Sequence, residues 1–392
     1  MRILRSMLAL GLFSAVGWSV TAAACPFCTA IANTLSEDLS KADVTVVARW
    51  MDTASNRAAV ARGLTTVEGE VDDPLALRDF QIIRVYKGQT KQNWNHKQIR
   101  ATFRGRPEAG RVFLVFGFSD ETINWTTAVQ LRPESLIYLD KLSSLPPPGP
   151  ERLKHFLKYL DHPEQPLADD AYNEFARAPY SEVQSLRPYL DRTWLLERIT
   201  DARSDARRRQ LYLTLLGVCG QPSDATTVLR VMEKLEDPRE TGLDAAIACY
   251  LTLTKSTGVS TIEERYLVPP GVDHKKALAA IMAIRFHGEE AQLVPRSRLG
   301  AALQGVLDRP QLAEMVIPDL ARWEVWSAAT AVAKLFRSAT GENASVRVPA
   351  ARFLMACPSP EAKQLLAELR KLDPESVRRA NTFLPVPPPD AG

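Results

Sequence analysis

The stretch from Arg207 to Leu235, RRRQLYLTLLGVCGQPSDATTVLRVMEKL, constrains this chain more than any other. Leu211, Leu215 and Val218 recur at helical spacing, which predicts an amphipathic helix with one apolar face. Gly217 and Gly220 weaken that helix. Pro222, which lacks an N–H and crowds the preceding turn, stops it. A second helix then carries Val228, Leu229, Met232 and Leu235 as its stripe. Ser223 or Asp224 is expected to cap it by accepting a bond from one of its first free N–H groups. One such pair cannot bury its own apolar face, so it needs neighbours. Further pairs begin near 242, 275, 311 and 346, a spacing of roughly 35 residues that suits an all-α solenoid of stacked helix pairs.

The other end of the chain carries an address. Arg2 and Arg5 precede an apolar run from Met7 to Val20, and Thr21-Ala22-Ala23-Ala24 supplies small residues for cleavage before Cys25. This order predicts a secretory signal peptide over residues 1–24 and an exported protein, periplasmic or extracellular. No later stretch is long and apolar enough to span a bilayer, so no transmembrane segment is expected after cleavage. A net charge of +3, with basic and acidic residues interspersed, argues against a nucleic-acid partner.

Cys25-Pro26-Phe27-Cys28 would open the mature chain. The CxxC spacing serves disulfides, thiol-redox sites, half of a zinc site and haem attachment. Thr29 stands where haem attachment needs His, and neither a second CxxC nor an HxxxH completes a zinc set. Cys25 and Cys28 are therefore the candidate disulfide or thiol site. A lipid anchor on Cys25 is a lesser alternative, because Ala22 replaces the large aliphatic residue of a lipobox. A helix is expected behind the motif, from Thr29 to Leu39.

The period then changes to two. Ala42 to Met51, Asp79 to Tyr86, Gln98 to Phe103, Arg111 to Phe118 and Asn124 to Gln130 read as five short strands of a small barrel or curled sheet. Asn56 to Leu75 reads as a long polar loop. The early CxxC, the helix, "ADVTVVARW", "FQIIRVYKG" and "GRVFLVFG" resemble the OB-type barrel of netrin modules and metalloprotease inhibitors. In the inhibitors the first Cys chelates the target's zinc, a geometry that rests on bridging both early Cys residues within the barrel. Here Cys219, Cys249 and Cys357 all fall in the helical region, so the resemblance implies the barrel and not the inhibitor activity.

Leu145-Pro146-Pro147-Pro148-Gly149-Pro150 marks a boundary, because consecutive prolines favour extended backbone. The expected division is a barrel domain over 25–142, a linker over 143–150, a helical-repeat domain over 151–382 and a disordered tail over 383–392. Few contacts are expected to cross the linker. The segment VPAARFLMACPSPEAKQLLAELRKLDPESVRRA resembles HEAT-like repeats. The signal peptide, "CPFC", the OB-like strands, "DDAYNEFARAPY", "LYLTLLGVCG" and "IPDLARWEVW", taken in order, resemble a family of exported bacterial proteins. That resemblance implies an architecture and no activity. The fold class expected is thus multidomain α+β, a small OB-like β-barrel followed by an all-α HEAT-like solenoid.

Candidate chemistry is sparse. The histidines, His96, His155, His162, His274 and His287, share no ligand spacing, and neither HExxH nor GxSxG occurs. Asp169, Asp170 and Glu174 are grouped carboxylates that a helix cap and first turn explain, with Asp169 as the cap. Cys219 and Cys249 are expected to be buried free thiols on helix faces. Trp323 and Trp326 flank a helix break and are candidate anchors for a partner, although core packing explains them too. No catalytic residue, cofactor or metal ligand set is assigned. The expectation is a non-enzymatic interaction or scaffold protein holding a protein partner. The alternative is a thiol-redox or metal-binding protein acting through Cys25 and Cys28.

Overall fold

The computed structural model describes residues 27–28, 32–63, 77–88, 94–103, 107–237, 239–269 and 271–382. The signal peptide, Cys25 and the tail over 383–392 lie outside the described residues. The protein is mixed: an antiparallel, nearly closed sheet followed by a largely helical region.

Helix α1 (Leu35–Lys41) opens the fold, and Thr34 caps it in a box with Glu37. The sheet follows with β1 (Val44–Trp50), β2 (Leu77–Lys87), β3 (Gln98–Thr102), β4 (Val112–Ser119), β5 (Ile123–Trp125) and β6 (Val129–Leu131). Its order is β3-β2-β1-β4-β5, with β6 also on β4. The expected fifth strand is therefore two short ones. Irregularities in the β1–β2 register, at Thr45/Val46 and Val47/Ala48, bend the sheet. The bend brings its ends together, where the Ala128 N–H donates to the Thr102 carbonyl at 2.8 Å. The first part of the expected polar loop is a helix, α2 (Ala54–Gly63). Asn56 fixes it, accepting from the Asp79 N–H and donating to the Met51 and Asp79 carbonyls.

The apolar run of β4 has a physical reason: it is covered on both sides. Phe113 and Val115 point into the near-barrel with Val46, Ala48, Phe80 and Ile82. Val112, Leu114 and Phe116 point the other way, with Val47 of β1, into a core continuous with the helices.

The helices are α3 (Leu136–Leu142), α4 (Pro150–Phe156), α5 (Gln165–Arg177), α6 (Tyr180–Ser185), α7 (Arg192–Thr200), α8 (Ala206–Cys219), α9 (Ala225–Leu235), α10 (Leu243–Thr254), α11 (Val259–Ile262), α12 (His274–Phe286), α13 (Arg296–Gln304), α14 (Pro310–Arg322), α15 (Ala329–Ser338), α16 (Arg347–Ala356), α17 (Pro360–Leu372) and α18 (Pro374–Thr382). The pair α8 and α9 matches the organising stretch. Gly217 does not interrupt α8, since Leu211 to Val218 are all buried and packing outweighs its poor propensity. Even-numbered helices from α8 to α18 pack in succession, and α9, α15 and α17 pack across that row. Ion pairs tie neighbours together: Arg265–Glu233, Arg285–Asp319, Arg322–Glu289 and Arg337–Glu368 join residues 31 to 34 apart. That separation is close to the spacing of the pairs in sequence.

Two expected caps are not made. Asp224 accepts from the Gln221 N–H and the Arg192 guanidinium rather than from the turn of α9. Helix α5 begins earlier than expected, with Pro166 in its first turn, so Asp169 is mid-helix rather than a cap.

Contacts across the linker are extensive, contrary to expectation. Leu145 packs on the core, and Arg152 donates to the Pro146 carbonyl, to Ser36 of α1 and to Glu174 of α5. Glu164 accepts from the Arg132 N–H at 2.5 Å, from the Ser135 hydroxyl and from Arg111.

Candidate functional site

The CPFC segment is seated on the helical region. Phe27 is 5% exposed, and its ring meets Phe286 of α12 edge-on at 5.0 Å between centroids. Phe286 meets Tyr180 of α6 in the same way at 4.8 Å. The space left beside Phe27 is lined by small residues, Gly217 of α8 and Ala245, Ala248 and Cys249 of α10. Small side chains on these helices make the slot, and the α12 ring closes it. Burying a Phe side chain is worth ~2–3 kcal/mol, and each edge-on aromatic contact adds ~1 kcal/mol. His287, next to this contact, is fully buried with Nε2 on the Ala248 carbonyl at 3.0 Å. Burial pushes its pKa down to about 4, so it is neutral at pH 7.

Cys28 follows Phe27 into the interior at 8% exposure. Cys25 lies outside the described residues, so the pairing of the motif is not part of the described geometry. Cys219 and Cys249 are free thiols, Cys249 buried as expected and Cys219 only half-buried. Burial pushes Cys219 up to about 11 and Cys249 upward as well, so both stay protonated. Among the described residues no group of His, Cys, Asp and Glu could hold a metal ion.

Both tryptophans make contacts within the protein, Trp323 buried and Trp326 half-buried. Trp323 is 7% exposed, donates its indole N–H to Glu289 at 2.7 Å and lies against Gly288. Trp326 stacks edge-on with Phe353 of α16 at 5.4 Å.

The grouped carboxylates separate into different roles. Asp170 is 3% exposed and accepts from the Leu35 N–H at the start of α1, at 2.6 Å, and from the Tyr138 hydroxyl of α3, at 2.5 Å. Burial pushes its pKa up to about 6, against the two hydrogen bonds that favour its charged form. Burial and Asp170 together push Tyr138 well above the ordinary phenol value. Glu174 holds Arg152 through two hydrogen bonds, while Asp169 reaches Arg208 of α8. These groups fasten α1, α3, α4 and α8 to α5.

Beside the Phe27 slot, sharing Tyr180, Gly217 and Thr252 with it, lies an open cleft of about 330 Å³. Arg187, Lys255 and Leu293 are exposed on it. Lys255 ends α10 with φ 54° and ψ −139°, a conformation that costs a non-glycine residue ~1–3 kcal/mol. Gln292, next to Leu293, is also left-handed, with φ 50° and ψ 30°. Sequence reasoning passed over Arg187 and Lys255. The two lie far apart in sequence, and only the packing of α6 against α8 and α8 against α10 brings them to one cleft.

No family model, no curated protein and no solved structure matches this chain.

Proposed function

We propose that this is an exported, non-enzymatic interaction protein, a scaffold whose OB-like barrel and HEAT-like solenoid form one platform for a protein partner. The strand order and the approach of β3 to the chain around Ala128 support the OB-like reading of the near-barrel. The succession of helices and their ion pairs at repeat spacing support the solenoid reading. One observation carries the functional reading: the slot that receives Phe27 continues into an open cleft, so the platform has concave surface beyond what its described residues fill. Concave surface with a few placed polar groups is where binding is ordinarily found.

The test uses a photo-crosslinking residue at each of four exposed apolar positions, Ile83, Ile137, Val268 and Leu293, in the full chain made in its own cells. The proposal expects a discrete adduct of one added mass from at least one position. Recovery of the uncrosslinked chain alone from all four would overturn it.

A further inference from the structure

We infer that the cleft beside Phe27 binds an extended acidic peptide segment of the partner, with Arg187 and Lys255 as its two cationic contacts. This rests on the interaction reading above and adds the chemistry of what is bound. Among the described residues that line the cleft, the charged ones, Arg187 and Lys255, are positive. Arg192 and Asp224 at the neighbouring turn neutralise each other in a paired contact, whereas Arg187 and Lys255 are exposed at the cleft. Between these cations the floor is uncharged, formed by Tyr180, Gly217 and Thr252, and Leu293 adds an exposed apolar side chain.

The backbone supports the same assignment. The end of α10 requires a positive φ, for which glycine is the usual residue. Lysine occupies it instead, and its side chain lines the cleft. Strain of this kind clusters where a side chain must be held for binding. Phe27, bound in the adjoining slot through α6, α8, α10 and α12, shows the kind of side chain these helices accept: a flat ring between small residues. A segment with carboxylates spaced around an apolar or aromatic residue matches both features. Attraction between exposed charges of this kind is screened by salt.

The experiment selects a random-peptide library displayed on phage against the immobilised full chain, then measures the selected peptides on variants. The expected peptides are acidic around an apolar or aromatic residue. Arg187→Glu and Lys255→Glu are each expected to weaken them about tenfold or more, and added salt to weaken them on the original chain. Lys255→Gly separates binding from folding: it removes the strain and the charge together, so it should melt at higher temperature and still bind worse. Selection of neutral or basic peptides, or equal binding to the charge-reversed variants, would overturn the inference. So would inorganic phosphate binding as tightly as the peptide, which would mark a simple anion site. So would a dimer of this chain that dissociates on charge reversal while no peptide is selected. A crosslinked partner adduct that persists in the Arg187→Glu, Lys255→Glu double variant would leave the interaction reading standing and remove this inference alone.

Discussion

Asp170 is a carboxylate in the middle of a helix with almost no exposure, and its titration is a property of the fold. Its pKa is raised from 3.8 to about 6, so the folded protein binds the proton more tightly than the unfolded chain. The associated stability is fully present below about pH 4 and is lost as pH rises through about 6, a change of ~3 kcal/mol. Glu174 and Arg152, which face the same pocket, act in opposite directions on this proton. His287 runs the other way: its lowered value removes stability as pH falls from about 6.5 toward 4. The difference between the original chain and Asp170→Asn isolates the carboxylate. Urea unfolding across this range should show the variant gaining relative stability as pH rises from 4 to 7, with the Leu35 N–H still accepted. None of this was legible in the sequence, where DDAYNE reads as a cap and first turn. The partners of Asp170 lie 135 and 32 residues away, in other elements.

At the scale of elements, local signals sufficed wherever periodicity and stops are themselves local. Helices α10, α12, α14 and α16 begin within a residue of 242, 275, 311 and 346, where the pair spacing places them. Asp224 does not cap α9 because a carboxylate near a helix start has competing partners, and Arg192 wins it, whereas Asp169 does not cap α5 because that helix begins four residues earlier. Close approach between elements was also invisible. Gly288, in the turn that follows α12, lies against the ring of Trp323, where an added Cβ would lie 2.1 Å from a ring carbon. A buried indole cannot turn aside as a flexible side chain would. Gly288→Ala should therefore cost about 1–3 kcal/mol by displacing α14, read as a lower urea midpoint at unchanged slope.

At the scale of the molecule, a proline-rich stretch that reads as a divider is spanned by packing on both sides. The outward face of β1 and β4 shares one core with the helices, and Phe27 joins that core between α6, α8, α10 and α12. The barrel-then-helices order was legible because period-two and helical patterns occupy separate stretches. Their fusion was not, since a strand apolar on both faces does not say what covers the second face. The direct measurement is hydrogen exchange on the full chain and on Phe27→Ala, following amides of β1 and β4 together with those of α8, α10 and α12. With one shared core, the sheet and these helices should open in a single global step in the original chain. Phe27→Ala should lower protection in both by the same amount, about 3–5 kcal/mol. A sheet that opens on its own while the helices stay protected, or a Phe27→Ala chain with helix protection unchanged, would contradict the account.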